Sequence, residues 1–476
     1  MAAPLLAACS QSSATPTTAP SGQATTAPNA TSAAQPTTAQ PTTVSQPTTA
    51  PAATAATSAP PSAAPVAQST TAAAKIGGTV SVLATWGGDE QDSFLAMVKP
   101  FEDQTGTKVE YTGTRDLNAV LDTRVKGGNP PDLAGLPGAG QMAQFAKEGK
   151  LVELSSILDM SAMKDQYAED WLKLGQVDGK QVGILIKADV KGLIWYDPNN
   201  FTKAGYQIPK TWDDLMALSK KIADSGTTPW SIGLESGAAS GWPAADWLQD
   251  IVLRQAGPEA YDKWSQGTLK WTSPEIKQAW TTWGQIVGNA KMVYGGKQYM
   301  LATNFGSAAD PVFSSPPKAY LHHQSSFITT NIKKDFPSLK PVTDFNFFPF
   351  PDIATQYSGA VQGSGDLFGM FKNTPQASAL IKYLTTPDAQ AIWVKRGGAL
   401  SPNKQVSLDV YPDQISKQSA QTLTGAKIVR FSADDLMPSG LEKAFWKATL
   451  DFISNPNRLD TILESLDKAQ ASANAG

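Results

Sequence analysis

Past residue 75 the apolar positions change period in a regular way. Residues 79–85 (TVSVLAT) form a β-rich run. Residues 89–104 place Phe94, Met97, Val98 and Phe101 on one face of a helix, with Gly106 just past its end. Residues 108–112 predict a second strand, and 116–126 a helix with Leu117, Val120, Leu121 and Val125 turned inward. The run Gly127 to Pro131 (GGNPP) breaks that helix, a short strand follows over 132–136, and another helix over 141–147. Strand and helix alternating in this way give an α/β fold with a parallel sheet covered by helices.

The middle of the chain is richer in helix. Residues 192–196 and 230–234 predict strands, and 211–223 a helix with Thr211 as N-cap and Asp214 close to a capping-box position. A helix over 244–255 ends at Gly257. Ser273-Pro274-Glu275 starts another that runs to about residue 290. A strand at 367–371, helices at 376–384 and 387–395, and two helices near 440–453 and 457–470 complete the pattern.

Composition divides the chain sharply. Cys9 is the sole cysteine in 476 residues and closes the tetrad Leu6-Ala7-Ala8-Cys9. Residues 10–74 hold no charged and no aromatic residue, and repeat Gln-Pro-Thr-Thr at 35–38, 40–43 and 46–49. Such a Thr/Ala/Pro/Ser/Gln segment buries too little apolar surface to offset the entropy of ordering, so it reads as a disordered tether spanning on the order of 45 Å. The part beyond it, about 400 residues, exceeds one core and predicts two lobes. A net charge of −3 leaves no basic footprint for nucleic acid. No apolar run past residue 75 reaches the 18 or so residues a membrane span needs.

The chain is poor in catalytic parts. Its two histidines, His322 and His323, are adjacent. There is no His-Glu-x-x-His, no Gly-x-Ser-x-Gly and no phosphate-binding loop. No metal and no cofactor are expected. A surface glycosidase remains an alternative through its carboxylates alone, and a sugar-binding signalling or adhesion module is another.

Ordered motifs carry a family resemblance over nearly all of 77–470. They are Phe101-Glu102 with Thr105-Gly106, Gly128 to Asp132 (GNPPD), Lys147 to Leu154 (KEGKLVEL), Trp195-Tyr196, Pro209 with Thr211-Trp212, and Ala399 to Asn403 (ALSPN). In this order they resemble the bacterial extracellular solute-binding proteins of the maltose-binding type, which serve ABC importers. The segments 242–250 (WPAADWLQD), 317–323 (PKAYLHH) and 363–371 (GSGDLFGMF) are similar to the α-glucoside and oligosaccharide branch. The tetrad ending in Cys9 resembles a bacterial lipobox, although no Lys or Arg precedes it, so residues 1–9 read as the end of a truncated signal.

The resemblance implies a two-lobed, periplasmic-binding-protein-like fold with a hinge and an interlobe ligand cleft. It assigns 75–187 and 319–372 to the first lobe, and 188–318 and 373–476 to the second. It implies a monomer, held to the membrane by a lipid on Cys9 alone and placed on the extracytoplasmic face. The ligand would be a carbohydrate, passed to the permease subunits of an ABC transporter.

Candidate ligand-binding residues follow from sugar chemistry, since pyranose rings offer apolar faces to aromatic side chains and hydroxyls to polar ones. Trp86, Gly87, Asp89 and Glu90 follow the first strand, and the carboxyl ends of strands are where open α/β sheets bind ligands. Asp132 lies at the third strand. Trp242 and Trp247 flank Asp246 at a helix start in a Gly/Ser-rich stretch. Tyr320, His322 and His323 lie where the chain is expected to recross between lobes, and Asp366 enters a strand from a Gly-rich loop. Arg115 reads as a solvated surface residue, Trp280 and Trp283 as core, and Trp171, Trp212 and Trp446 as core or helix-anchoring.

Overall fold

A computed structural model describes residues 75–475, so Cys9, the lipobox and the tether lie outside the described residues. The first sheet opens as the periodicity predicts. Strands β1 (Thr79–Ala84), β2 (Lys108–Gly113) and β3 (Leu133–Leu136) are parallel, with β1 in the middle. Helix α1 (Asp89–Thr105) buries Phe94, Met97, Val98 and Phe101, carries three acids in its first turn, and ends at Gly106 in the left-handed conformation. Helices α2 (Leu117–Lys126) and α3 (Ala139–Lys147) complete the opening unit.

Two long strands finish this sheet. Strand β4 (Gly183–Val190) and the later β9 (Ala360–Met370) pair antiparallel, and every residue in both is buried. β9 also pairs antiparallel with β3 and parallel with β10 (Ile428–Phe431). A strand covered on both faces is normally an unbroken apolar run. These two carry Lys187, Asp189, Gln362, Ser364 and Asp366 instead.

The second sheet runs β8 (Asn346–Pro349), β5 (Leu193–Tyr196), β7 (Ala319–Gln324), β6 (Thr228–Trp230). It lies in a separate core rich in tryptophan, in which Trp230, Trp247, Trp264, Trp271, Trp280 and Trp283 are fully buried. Helix α4 (Trp242–Gln255) crosses this core. Helices α5 (Pro274–Val287), α9 (Ser439–Ser454) and α10 (Leu459–Ala475) surround it, and the short α8 (Ala433–Leu436) sits at its edge.

The backbone passes between the two sheets at three places: Lys191-Gly192 between β4 and β5, residues 350–359 between β8 and β9, and Ser432 after β10. Gly192 has φ of 69°, and a Cβ there would lie 2.5 Å from a carboxylate oxygen of Asp250. Only glycine fits a positive φ and so close an approach.

These crossings correct the expected lobe boundaries. Residues 319–324 pair with β5 and β6, so they belong to the second sheet rather than the first. The return to the first sheet is at 360–370. Helices α6 (Pro375–Leu384) and α7 (Pro387–Arg396) bury Leu380, Ile381, Leu384 and Trp393 in the core that contains β1 and α1, not in the second lobe. The first crossing lies past residue 190 because 183–190 continues the first sheet as β4, its two charges set within an apolar run.

Candidate functional site

Alternation along β4 and β9 builds the floor of a cleft. Side chains of a strand point to opposite faces in turn, so Lys187 and Asp189 share a face, as do Gln362, Ser364 and Asp366. The register sets Asp366 opposite Lys187 and Ser364 opposite Asp189. The pairing slips between Asp366 and Leu367, and such a bulge re-aims a side chain at the edge of a site. Lys187, Asp189, Ser364 and Asp366 all line the cleft.

Lys187 is the hub. Its Nζ lies 2.8 Å from Glu90 Oε1, 3.1 Å from Asp189 Oδ2 and 3.9 Å from Asp366 Oδ2. Burial opposes its charge, but Asp189, Glu90 and Asp366 together raise its pKa above the usual lysine value. Burial likewise pushes Glu90 upward, and Lys187 and Arg115 more than offset it, leaving Glu90 below the usual carboxylate range. Asp366 moves the other way. Burial, with Glu90 and Asp189 adding to it against Lys187, raises it to about 7, and Asp189 to about 6.

A second buried pair stands on the other wall. Lys191 Nζ contacts both carboxylate oxygens of Asp246 at 2.8 and 2.9 Å, and lies 5.0 Å from the centre of the Trp242 ring. Burial first, then Asp434, carries Asp246 up to about 7 despite Lys191. Behind the pair, Gln362 Nε2 donates to Gln249 Oε1 at 2.9 Å and to Ser432 Oγ at 3.0 Å. Gln249 Nε2 donates to Asp434 Oδ1 at 2.9 Å, and Trp446 Nε1 donates to Asp434 Oδ2 at 2.8 Å.

Trp242, Phe305, Phe327 and Trp446 give this side its apolar surface. Phe305 stands 5.2 Å from Trp242, with Arg115 5.1 Å over its ring. The cleft measures about 960 Å³ including its open mouth, at the upper end of the roughly 300–1,000 Å³ usual for small-ligand sites. It joins carboxylates that accept from hydroxyls, ammonium groups that donate to them, and aromatic surface for C–H faces. Among the described residues no group of three His, Cys, Asp or Glu could hold a metal ion.

Of the expected residues, Trp86, Glu90, Trp242 and Asp366 line this cleft, and Asp246 supports it through Lys191. Trp86 does so only at its rim. It is 1% exposed, packed among Phe94, Tyr111, Phe368 and Trp393, which leaves no free ring face for stacking. Trp247 is core: it packs on Trp230, His323 and Phe350, because it lies on the opposite side of α4 from Trp242.

The remaining expectations fall outside the cleft lining. His323 Nε2 lies 2.9 Å from Asp250, which also holds Arg254, in a buried cluster behind Gly192. His322 Nδ1 lies 2.9 Å from the Ser231 carbonyl, and burial holds its pKa down at about 4. Tyr320 packs on Tyr206 and Phe201. Asp132 braces β1 by accepting from Ser81 N and Oγ, both at 2.7 Å. Asp89 pairs with Lys334 at 3.4 Å on the surface, and Gly87 is exposed. Arg115, expected as a solvated residue, lines the cleft; Trp446, expected as core or helix-anchoring, is buried in the second core and also reaches the cleft lining. Lys187, Asp189, Lys191, Asp434 and Asp435 were not foreseen.

The chain matches the family "Bacterial extracellular solute-binding protein" over residues 87–391. It is 38% identical over 375 residues to the osmoprotective compounds-binding protein GgtB of Synechocystis sp., covering 79% of this chain and 88% of that one. It is 36% identical over 395 residues to the alpha-glucosides-binding periplasmic protein AglE of Rhizobium meliloti, covering 81% and 85%. Among solved structures, a chitin oligosaccharide binding protein superposes with a TM-score of 0.74 at 21% identity, covering 84% of this chain and 99% of that one. The fold is therefore that of the two-lobed binding proteins.

A carboxyl whose native pKa lies above its unfolded value keeps a proton that the unfolded chain has released. For Asp366 the native state therefore loses ground as pH rises from about 4 to about 7. Asp366→Asn removes that dependence. Measured by denaturant titration, its stability relative to wild type should improve by about 1–3 kcal/mol between pH 5 and pH 8. A difference that stays constant with pH would show that Asp366 does not titrate in this range.

Proposed function

Because the chain belongs to the bacterial extracellular solute-binding proteins, we propose that it captures a carbohydrate between its lobes and delivers it to an ABC permease. The observation that carries this reading is the cleft itself. Buried carboxylates and lysines from strands of the first sheet face Trp242 and Trp446 across it, which is the mixture a pyranose requires. The lobes on this reading are 75–190 with 360–431, and 193–349 with 433–475, hinged at the three crossings.

The ligand on this reading is an α-glucoside or an oligosaccharide, supported by the similarity to AglE. Trp242 offers the stacking surface, Asp366 and Asp435 accept from hydroxyls, and Arg115 and Lys187 donate. Capture without turnover is the reading, since the relatives are named as binding proteins. Among the described residues no helix is long and apolar enough to cross a membrane. The tetrad ending in Cys9 supports attachment through that residue, whose acyl groups would hold the protein, a monomer on this reading, on the extracytoplasmic face.

A thermal-shift panel of maltose, trehalose, sucrose and β-linked cellobiose tests the ligand class. At 100 times its Kd a true ligand adds about 2.7 kcal/mol, so one or more α-linked sugars should raise the Tm while cellobiose does not. Trp242→Ala should weaken that binding at least about tenfold, or about 1.4 kcal/mol. Stabilisation by a non-carbohydrate solute and by no sugar would overturn the assignment.

Detergent partitioning tests the anchor. Expressed in a bacterium behind a complete lipoprotein signal, the protein should enter the detergent phase, and Cys9→Ser should return it to the aqueous phase. Equal partitioning of the two proteins would remove the lipid from the account.

A further inference from the structure

Beside the cleft one buried hydrogen bond joins elements of different lobes. Asn118, in the first turn of α2, donates from Nδ2 to Glu442 Oε2 at 2.7 Å. Glu442 lies in the first turn of α9 and is 4% exposed. Asn118 is held in place, since Gln141 Nε2 donates to its backbone carbonyl at 2.9 Å. The seam is tight around it: a Cβ on Gly138 or Gly140 would run into the carbonyls of Asp435 and Met437.

A carboxylate is a poor choice for such a seam. Besides Asn118, the groups facing Glu442 are Asp434 and Asp435 from α8, with Lys443 on its own helix. An ionised carboxylate there loses its hydration and stands beside two further carboxyl groups, for one amide hydrogen bond and one lysine. A neutral carboxyl keeps the bond from Asn118, because its carbonyl oxygen still accepts. When the lobes part, Asn118 withdraws and water reaches Glu442, so the ionised form is favoured again.

We propose that Asn118 and Glu442 are positioning residues that form a latch between the lobes. The latch closes with a proton taken from solvent onto the Glu442 carboxyl, so capture of the ligand carries uptake of that proton. Burial first, and then Asp434, raises the pKa of Glu442 well above the ordinary glutamate value in this closed arrangement, which is the direction the latch requires. The ratio of closed to open protein then falls as pH rises above the ordinary glutamate range, by up to about tenfold per pH unit for one proton, until Glu442 is ionised in both states. The reading of the cleft as a carbohydrate site underlies the link to capture, but the latch itself can be measured without sugar.

The full chain with Cys9→Ser, and with spin labels at Thr123→Cys on α2 and Lys447→Cys on α9, reports the distance across the seam by pulsed electron resonance. In the wild-type background the short-distance population should shrink between pH 5 and pH 8. Glu442→Gln, which stays neutral and still accepts from Asn118, should lessen that loss, leaving what Asp435 and the cleft carboxyls contribute, and Asn118→Ala should lower the population at every pH. A pH dependence that persists unchanged in Glu442→Gln, or a population that ignores pH in the wild-type background, overturns the latch. Calorimetry with maltose in phosphate and in Tris counts the protons taken up on binding. Glu442→Gln should take up fewer than wild type, by close to one, and an equal count overturns the coupling. If maltose does not bind at all, the α-glucoside assignment fails while the label distances still decide the latch.

Discussion

The ion group around Lys187 is the constraint on which the rest of the site depends. Nothing in a buried β-sheet tolerates a lone ammonium, because losing its hydration costs several kcal/mol even after relaxation. Lys187 therefore needs Glu90 from the first turn of α1, Asp189 from its own strand and Asp366 from β9. Those three come from segments nearly 280 residues apart in sequence, as 366 − 90 = 276. Satisfying one charge fixes how α1, β4 and β9 meet. It also buries three carboxyl groups around one ammonium. Burial first, and then their mutual repulsion, pushes Asp366 and Asp189 upward, while Glu90, closest to Lys187 and also beside Arg115, is held below the usual carboxylate range.

The same economy recurs at the opposite wall. Lys191 sits at the first crossing, directly before Gly192, and ties the crossing to Asp246 on α4. Gln362, Gln249, Ser432 and Asp434 then link the first crossing to the third through side-chain hydrogen bonds. Two buried polar groups, one at the crossings and one at the floor of the cleft, thus both draw on β9, through Gln362 and Asp366. Hydrophobic packing is left to each lobe, and most of the tryptophans lie in those cores, outside the cleft lining.

Much of the fold was legible in the sequence because the first βαβαβα unit follows simple periodicity. The positions facing inward on α1 and α2 are those the spacing indicates, Val120 apart, which is only partly buried. Legibility failed at β4. Its sequence, GILIKADV, reads as an apolar run interrupted by two charges, and its partner lies about 180 residues away. The interruption was itself the signal: Lys187 and Asp189, two apart in a run of Ile, Leu and Val, mark one face of a buried strand. Tryptophan count misled in the opposite sense. Thirteen tryptophans suggested stacking platforms, yet Trp247 is core and Trp86 offers only its rim, because a residue's side of its helix or strand cannot be read from its identity. The histidines failed likewise, since adjacent residues in a strand face opposite ways and both faces of β7 are buried.

Closure of two lobes around a carbohydrate is the claim that unites these features, and its most direct measure is molecular size. Small-angle scattering from residues 75–476, with and without maltose at a concentration that calorimetry shows to be saturating, reports it. The account predicts a smaller radius of gyration with the sugar bound, because the ligand favours only the closed state. Saturating maltose that leaves the scattering profile unchanged would contradict it.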